Sequence, residues 1–243
     1  MKYLLIFNII FCISLHEEAY DIIKKMNNKD KPLYIKSTLK METTKTSNNK
    51  KRTAIFKSWT IHNGEKQLIW FIEPNEYKGM AFLKQEKENF TDMRMWHPRY
   101  KKIRKITSSK KTDSFMNSEL SFEDLYVRQI DDYTYSLLDS EIINKEACYV
   151  IESLLKIDTT NYLKHKTWIS IKNLIPLKET SYNLEGKALK QKIFKYNQNH
   201  SLKSLKVVNL KNNNYTDLFI VELDTTSTIE ESYFKEKSLR RIP

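Results

Sequence analysis

Thirteen short stretches with apolar side chains at alternate positions run through this chain, and that period of two constrains its fold more than any other feature. In the first, near 35–42, Ile35, Ser37, Leu39 and Met41 share one face, while Lys36, Thr38, Lys40 and Glu42 share the other. The next six lie near 53–62, 67–73, 79–86, 90–97, 103–108 and 133–143. The last six lie near 147–156, 162–171, 174–182, 188–196, 203–210 and 216–223. Turn-forming residues separate many of them: Asn63-Gly64, Glu73-Pro74-Asn75, Glu185-Gly186 and Asn212-Asn213-Asn214. Strands at this spacing predict an antiparallel meander that curls into a barrel or half-barrel. No internal repeat and no Pro/Gly/Ser linker interrupts them, so residues 16–243 are expected to form a single domain.

Helices are few. In His16 to Asn27, the residues Ala19, Ile22, Ile23 and Met26 recur at helical spacing, with Glu17 and Glu18 early and Lys24 and Lys25 late, as the helix dipole favours. This predicts a packing helix on the outside or at the mouth of a sheet. A second, short helix is expected over Ser121 to Arg128, opened by a Ser121–Asp124 capping box. That is little cover for strands such as Leu68-Ile69-Trp70-Phe71-Ile72, which are apolar on both faces. Such a sheet must be covered twice, by a helix outside or by cargo inside, so the sequence hints at a cavity.

The first fifteen residues read as a signal peptide: Lys2, then an uncharged run from Tyr3 to Leu15, with cleavage between Ser14 and Ala19. The run is too short to span a bilayer, which takes about 20 residues. Cys12 would suit a lipid anchor only behind a small residue, and Phe11 is large. Cys148 is then alone and is expected to be a small buried apolar residue. The formal charge of +12, or +11 without Lys2, suits nucleic acid, an anionic membrane or an acidic partner. Export argues against nucleic acid. Catalytic chemistry is not advertised either: the five histidines are scattered, no nucleophile elbow occurs, and three isolated glycines cannot build a phosphate loop. The reading is therefore of a non-enzymatic binding protein without metal or cofactor.

One segment is unusually basic. Arg94, Arg99, Lys101, Lys102, Arg104, Lys105, Lys110 and Lys111 fall within eighteen residues with no carboxylate among them. These are either edge strands blunted by charge or a dock for lipid phosphates or an acidic patch on a membrane partner.

Three blocks in order carry a family resemblance. They are Leu68-Ile69-Trp70-Phe71-Ile72-Glu73-Pro74 with Lys78-Gly79-Met80-Ala81-Phe82-Leu83; Met95-Trp96-His97-Pro98 with Lys101-Lys102-Ile103-Arg104-Lys105-Ile106; and Ser114 through Leu125. Together they resemble the LolA-like family of outer-membrane lipoprotein-sorting proteins, with weaker echoes through Tyr133, Cys148 to Glu152 and Trp168-Ile169. The resemblance implies a mainly β fold with a few helices: a strongly curved antiparallel sheet forming an incomplete β-barrel, lidded by helices and loops, whose interior accepts acyl chains. It further implies a periplasmic location and a cargo of lipoprotein acyl chains or lipid. Implied partners are an RND-type (MMPL-like) transporter, as in a longer subgroup, or an outer-membrane acceptor. Asn117 departs from the Gly usual in the family, and Asn tolerates the left-handed backbone better than most residues.

For such a carrier, Met80, Met93, Met95 and Met116 are candidates for an adaptable lining, and Trp59, Trp70, Phe71, Phe82 and Trp96 for larger walls. Arg99, Lys101, Lys102, Arg104 and Lys105 are candidates for headgroup or partner binding. A second reading is an interaction subunit of an exporter with a filled barrel and no cargo. A third, an exported enzyme, would need a cleft gathering His and carboxylates.

Overall fold

The computed structural model describes residues 16–29, 31–88, 90–157 and 162–241. The signal peptide expected over 1–15, with Cys12, lies outside them. All thirteen expected strands form: β1 (Tyr34–Lys45), β2 (Lys50–Ile61), β3 (Lys66–Glu73), β4 (Ala81–Glu86), β5 (Thr91–His97), β6 (Lys102–Lys105) and β7 (Tyr133–Ile143). These are followed by β8 (Glu146–Leu155), β9 (Lys164–Ser170), β10 (Pro176–Tyr182), β11 (Ala188–Tyr196), β12 (Leu202–Asn209) and β13 (Tyr215–Asp224). The strand order is β6-β5-β4-β3-β2-β1-β13-β12-β11-β10-β9-β8-β7. The ladder therefore ends at β6 and β7 and does not close into a barrel. Among the described residues one α-helix occurs, α1, over residues 16–27, and none is long and apolar enough to cross a membrane.

The chain divides into two compact units. Unit I takes in the N-terminal stretch with Arg128–Lys195 and Asn209–Lys211; unit II comprises Lys31–Val127, Tyr196–Val208 and the C-terminal stretch from Asn212.

In unit I, α1 buries the apolar face read from the sequence. Ala19, Ile22 and Ile23 pack on Tyr133 and Tyr135 of β7, Ile151 of β8 and Ile169 of β9, with Met26 half-buried beside them. Ile22 and Ile23 each contribute up to about 1.5–3 kcal/mol by this burial. The opposite face of β8 and β9 carries Cys148, Val150 and Trp168. Cys148 is free and buried, as expected, and burial pushes its thiol up. Further along the α1 face the sheet turns polar. Buried Glu179 of β10 accepts hydrogen bonds from Arg128 and from Thr167 Oγ1 (3.4 Å), and Lys192 Nζ lies 3.4 Å away. Burial alone would raise the Glu179 carboxyl, but Arg128, Lys192 and His165 hold it well below the usual carboxylate range.

In unit II, β1 and β2 pair along their whole length, Tyr34 opposite Ile61 through Lys45 opposite Lys50. The pleat then sends Ile69 and Phe71 of β3 to one face and Leu68 and Trp70 to the other. The chain itself covers both. The helix expected over Ser121 to Arg128 is instead a single 3₁₀ turn, Phe122–Leu125, opened by the expected Ser121–Asp124 capping box. Tyr126 leaves it with extended backbone (ψ 147°), so the turn cannot propagate. The second cover, the C-terminal segment from Ile229 to Leu239, has no counterpart in the sequence reading.

Candidate functional site

The inner face of unit II is built by alternate residues of five strands: Leu39 and Met41 (β1), Ala54 and Phe56 (β2), Ile69 and Phe71 (β3), Phe82 (β4) and Met93 (β5). The segment 107–127 lies over this floor and inserts Phe115, Leu120 and Phe122. Phe115 stands at the centre, its ring 6.0 Å from Phe71, 5.4 Å from Phe82 and 5.7 Å from Phe122, in tilted and edge-on arrangements that suit the aromatic quadrupole.

The overlying segment is held by specific bonds rather than by regular structure. Phe115 N donates to Leu120 O (2.7 Å), Phe122 N to Asp113 O (3.2 Å) and Glu123 N to Lys111 O (2.9 Å). Its tip is a tight turn in which Met116 (φ 53°) and Asn117 (φ 58°) are left-handed, so Asn117 occupies the conformation its tolerance allows. Asn117 Nδ2 also donates to Tyr77 Oη (2.9 Å). At the far end Lys84, only 2% exposed, donates to Leu125 O (2.8 Å) and lies 3.1 Å from Glu86 Oε1. Val127 N donates to that same Glu86 oxygen (3.1 Å). Burial presses the Lys84 ammonium down while Glu86 holds it up. Burial, with Glu123 and Glu86 nearby, pushes the Tyr126 phenol up to about 12.

At the tip the cover does not seal. A groove of about 380 Å³ opens there, between Met41 and Ala54 on the floor and Tyr77 and Met116 at the side, with Lys50 and Arg52 at its rim. Its size falls within the range of small-molecule sites, roughly 300–1,000 Å³.

The nine apolar candidates do not form one lining. Phe71, Met80, Phe82 and Met93 are buried on the inner face, with Met95 and Met116 packed against them. Trp70 lies on the opposite face, with Trp59 and Trp96 packed against its cluster. The cause is the pleat: Phe82 opposes Met95 and Ala81 opposes Trp96, so each pair of neighbours in sequence is split between faces. The tryptophan face is covered by Ile229, Phe234 and Leu239. There Trp70 Nε1 donates to Ser238 O (3.2 Å), Gln85 Nε2 to Phe234 O (2.9 Å), and Arg240 stacks over Trp96. Sequence reasoning missed Phe115, Leu120 and Phe122 as site residues, because they sit on a segment with neither helical nor strand period.

The basic segment also resolves into parts. Arg94 pairs with Asp92 (3.0 Å) and with Glu236, Lys110 lies 4.0 Å from Asp113, and Lys111 stacks on Tyr126. Arg99, Lys101, Lys102, Arg104 and Lys105 are exposed on the edge strand β6 and the turn before it, with no carboxylate partner within 4.0 Å among the described residues. Arg99 and Arg104 flank the Tyr100 ring. Among the described residues no group of three or more His, Cys, Asp or Glu is arranged to hold a metal.

A strand-rich sheet with an apolar face under an irregular cover defines the LolA-like class of fold, and solved structures agree. The chain is similar to an outer-membrane lipoprotein-sorting protein domain from Vibrio parahaemolyticus (TM-score 0.85, 23% identity, 93% of this chain and 100% of that one). It is equally similar to a DUF1329 family protein from Desulfovibrio piger (TM-score 0.85, 23% identity, 93% and 99%). A LolA superfamily protein from Nitrosomonas europaea superposes with a TM-score of 0.73 at 17% identity over 90% and 98%. The resemblance carried by the three sequence blocks is thereby borne out. A family model described as an uncharacterized protein matches residues 63–241, and the chain belongs to that family. No functionally curated protein matches it.

Proposed function

We propose that this chain is a periplasmic carrier that receives acyl chains of a lipoprotein or lipid on the inner face of unit II and passes them toward an outer-membrane acceptor. The observation that carries this reading is the aromatic and methionine floor under a cover of short 3₁₀ turns and irregular chain, open at its tip to a groove where Met41, Ala54, Tyr77 and Met116 meet the polar Thr43, Thr53 and Asn117. Each methylene buried there contributes about 0.8 kcal/mol, and the unbranched Met80, Met93, Met95 and Met116 can readjust around chains of different shape. Phe115 and Phe122 act as placeholders in the empty state: cargo displaces them as the cover lifts. The lipoprotein-sorting description of the Vibrio parahaemolyticus domain supports the same reading.

A second reading is an interaction subunit of an RND-type exporter with no cargo. It is favoured by how completely Phe115 and Phe122 fill the inner face. Mass spectrometry of the purified protein, native and then denatured, separates the two. Stoichiometric lipid released on denaturation supports the carrier. A protein that is reproducibly empty and takes up no acyl-chain probe removes it and leaves the exporter subunit.

A further inference from the structure

Antiparallel pairing in unit II gathers three hairpin turns at one end of its strands. The β1–β2 turn joins Lys45 to Lys50, which are register partners. β3 then runs back along β2, so Glu73 ends opposite Ile55, and the β3–β4 turn lies at the same end. The pairing of Ala81 with Trp96 brings the β5–β6 turn there too. The last two turns touch: a Cβ placed on Gly79 would meet the Pro98 ring at 3.5 Å.

That end is basic. The first turn and its flanks carry Lys45, Lys50, Lys51 and Arg52, all exposed. The second adds Lys78, and the third adds Arg99, Lys101 and Lys102, again all exposed. Against these eight cations the same turns hold two carboxylates, Glu73 and Glu76. None of the eight has a carboxylate within 4.0 Å among the described residues, in contrast to Lys84 and Arg94 deeper in the same strands. Charge can keep a sheet edge unpaired, but β1 and β2 are interior strands of the sheet, with β2 reaching past the β3 ladder over Lys50 to Ala54. Tyr100, 53% exposed, stands among the cations as an amphipathic ring of the kind that settles at a membrane interface.

This is also the end at which the groove opens, lined by Lys50 and Arg52 and by one carboxylate, Glu76, beside Met41, Ala54, Tyr77 and Met116. On the carrier reading, on which this inference rests, the coincidence has a physical reason. An acyl chain crossing open water loses its burial at every methylene, so transfer requires the mouth to meet the bilayer directly. We propose that the three turns of unit II form a docking surface for an anionic bilayer, orienting the groove mouth onto the membrane from which cargo enters or into which it leaves. Each Lys or Arg at such a surface strengthens binding about fivefold at physiological salt, and the effect fades within a Debye length of about 8 Å.

Co-flotation of the purified protein, without the leader expected over 1–15, with vesicles tests this. Vesicles of phosphatidylcholine with 30 mol% phosphatidylglycerol should carry the protein upward, pure phosphatidylcholine vesicles should not, and high salt should release it. The variant Lys50→Gln/Lys51→Gln should bind roughly 25-fold more weakly. Lys87→Gln/Lys235→Gln, at exposed positions away from these turns, should bind as the parent does. Equal flotation with both vesicle types, no flotation with either, or equal loss in both double variants would overturn the docking surface; the second result is the one an acidic protein partner would give. Uptake of a fluorescent acyl-chain probe in vesicle-free buffer is read on the same samples. Uptake without flotation removes the docking surface and leaves the carrier; flotation without uptake removes the carrier and sustains the surface.

Discussion

Replacing Phe115 by Ala separates a placeholder from an ordinary core residue. The side chain is 2% exposed and meets the rings of Phe71, Phe82 and Phe122 at 6.0, 5.4 and 5.7 Å. Truncating a buried Phe costs about 3–5 kcal/mol, part lost transfer energy and part cavity. Here the upper value is not expected, because the neighbouring Met116 lines the open groove and the void can merge with it. About 3 kcal/mol is the reasoned value, or roughly 6–12 °C in Tm for a chain of this size. If cargo takes the space of the ring, the variant should bind an acyl chain more tightly than the parent does. Tenfold tighter binding adds about 1.4 kcal/mol to the ligand-induced stabilisation at saturation. Urea unfolding with and without a saturating fatty acid reads both quantities. A variant that loses about 3 kcal/mol and recovers more with ligand than the parent supports the reasoning. Ligand stabilisation equal to or smaller than the parent's would refute it, since the void would then not belong to the binding surface.

Other expectations follow from particular contacts. Lys84→Met leaves Leu125 O and Glu86 without their cation, and breaking a buried pair costs about 3–5 kcal/mol; hydrogen exchange should rise first across 107–127, and unchanged protection there would contradict a role for Lys84 in holding that segment. Trp70→Phe removes the hydrogen bond to Ser238 O and should cost about 1 kcal/mol, with faster proteolysis of the C-terminal segment as its signature and unchanged cleavage as the contrary result. Glu179 has its carboxyl held below the ordinary value, so its stabilising contribution is present above the unfolded-state pKa of about 4.3 and is lost as pH falls below it. In Glu179→Gln, stability measured from pH 6 down to pH 3 should therefore fall less steeply than in the parent, and parallel acid limbs would count against this account.

The sequence by itself determined the strands and their partners in the turn code. Period two with Asn, Gly and Pro punctuation is a local signal, readable within eight or ten residues, and all thirteen strands lie where it predicts them. The helix at 16–27 was legible for the same reason, its apolar stripe being complete within two turns. What only the tertiary structure decided was the identity of the covers and therefore the composition of the site. Leu68 to Ile72 announce two apolar faces, but the residues that meet them are distant in the chain: Phe115 and Phe122 on one side, Phe234 and Leu239 on the other. Neither covering segment has a period, because each is fixed by single bonds such as Lys84 to Leu125 and Trp70 to Ser238 rather than by repeating ones. The three tryptophans drew attention by size, yet the pleat sets them on the face away from Phe71 and Phe82. Likewise, the cations of 99–102 formed a visible run, while their neighbours at 45–52 became part of the same surface only when antiparallel pairing returned both turns to one end.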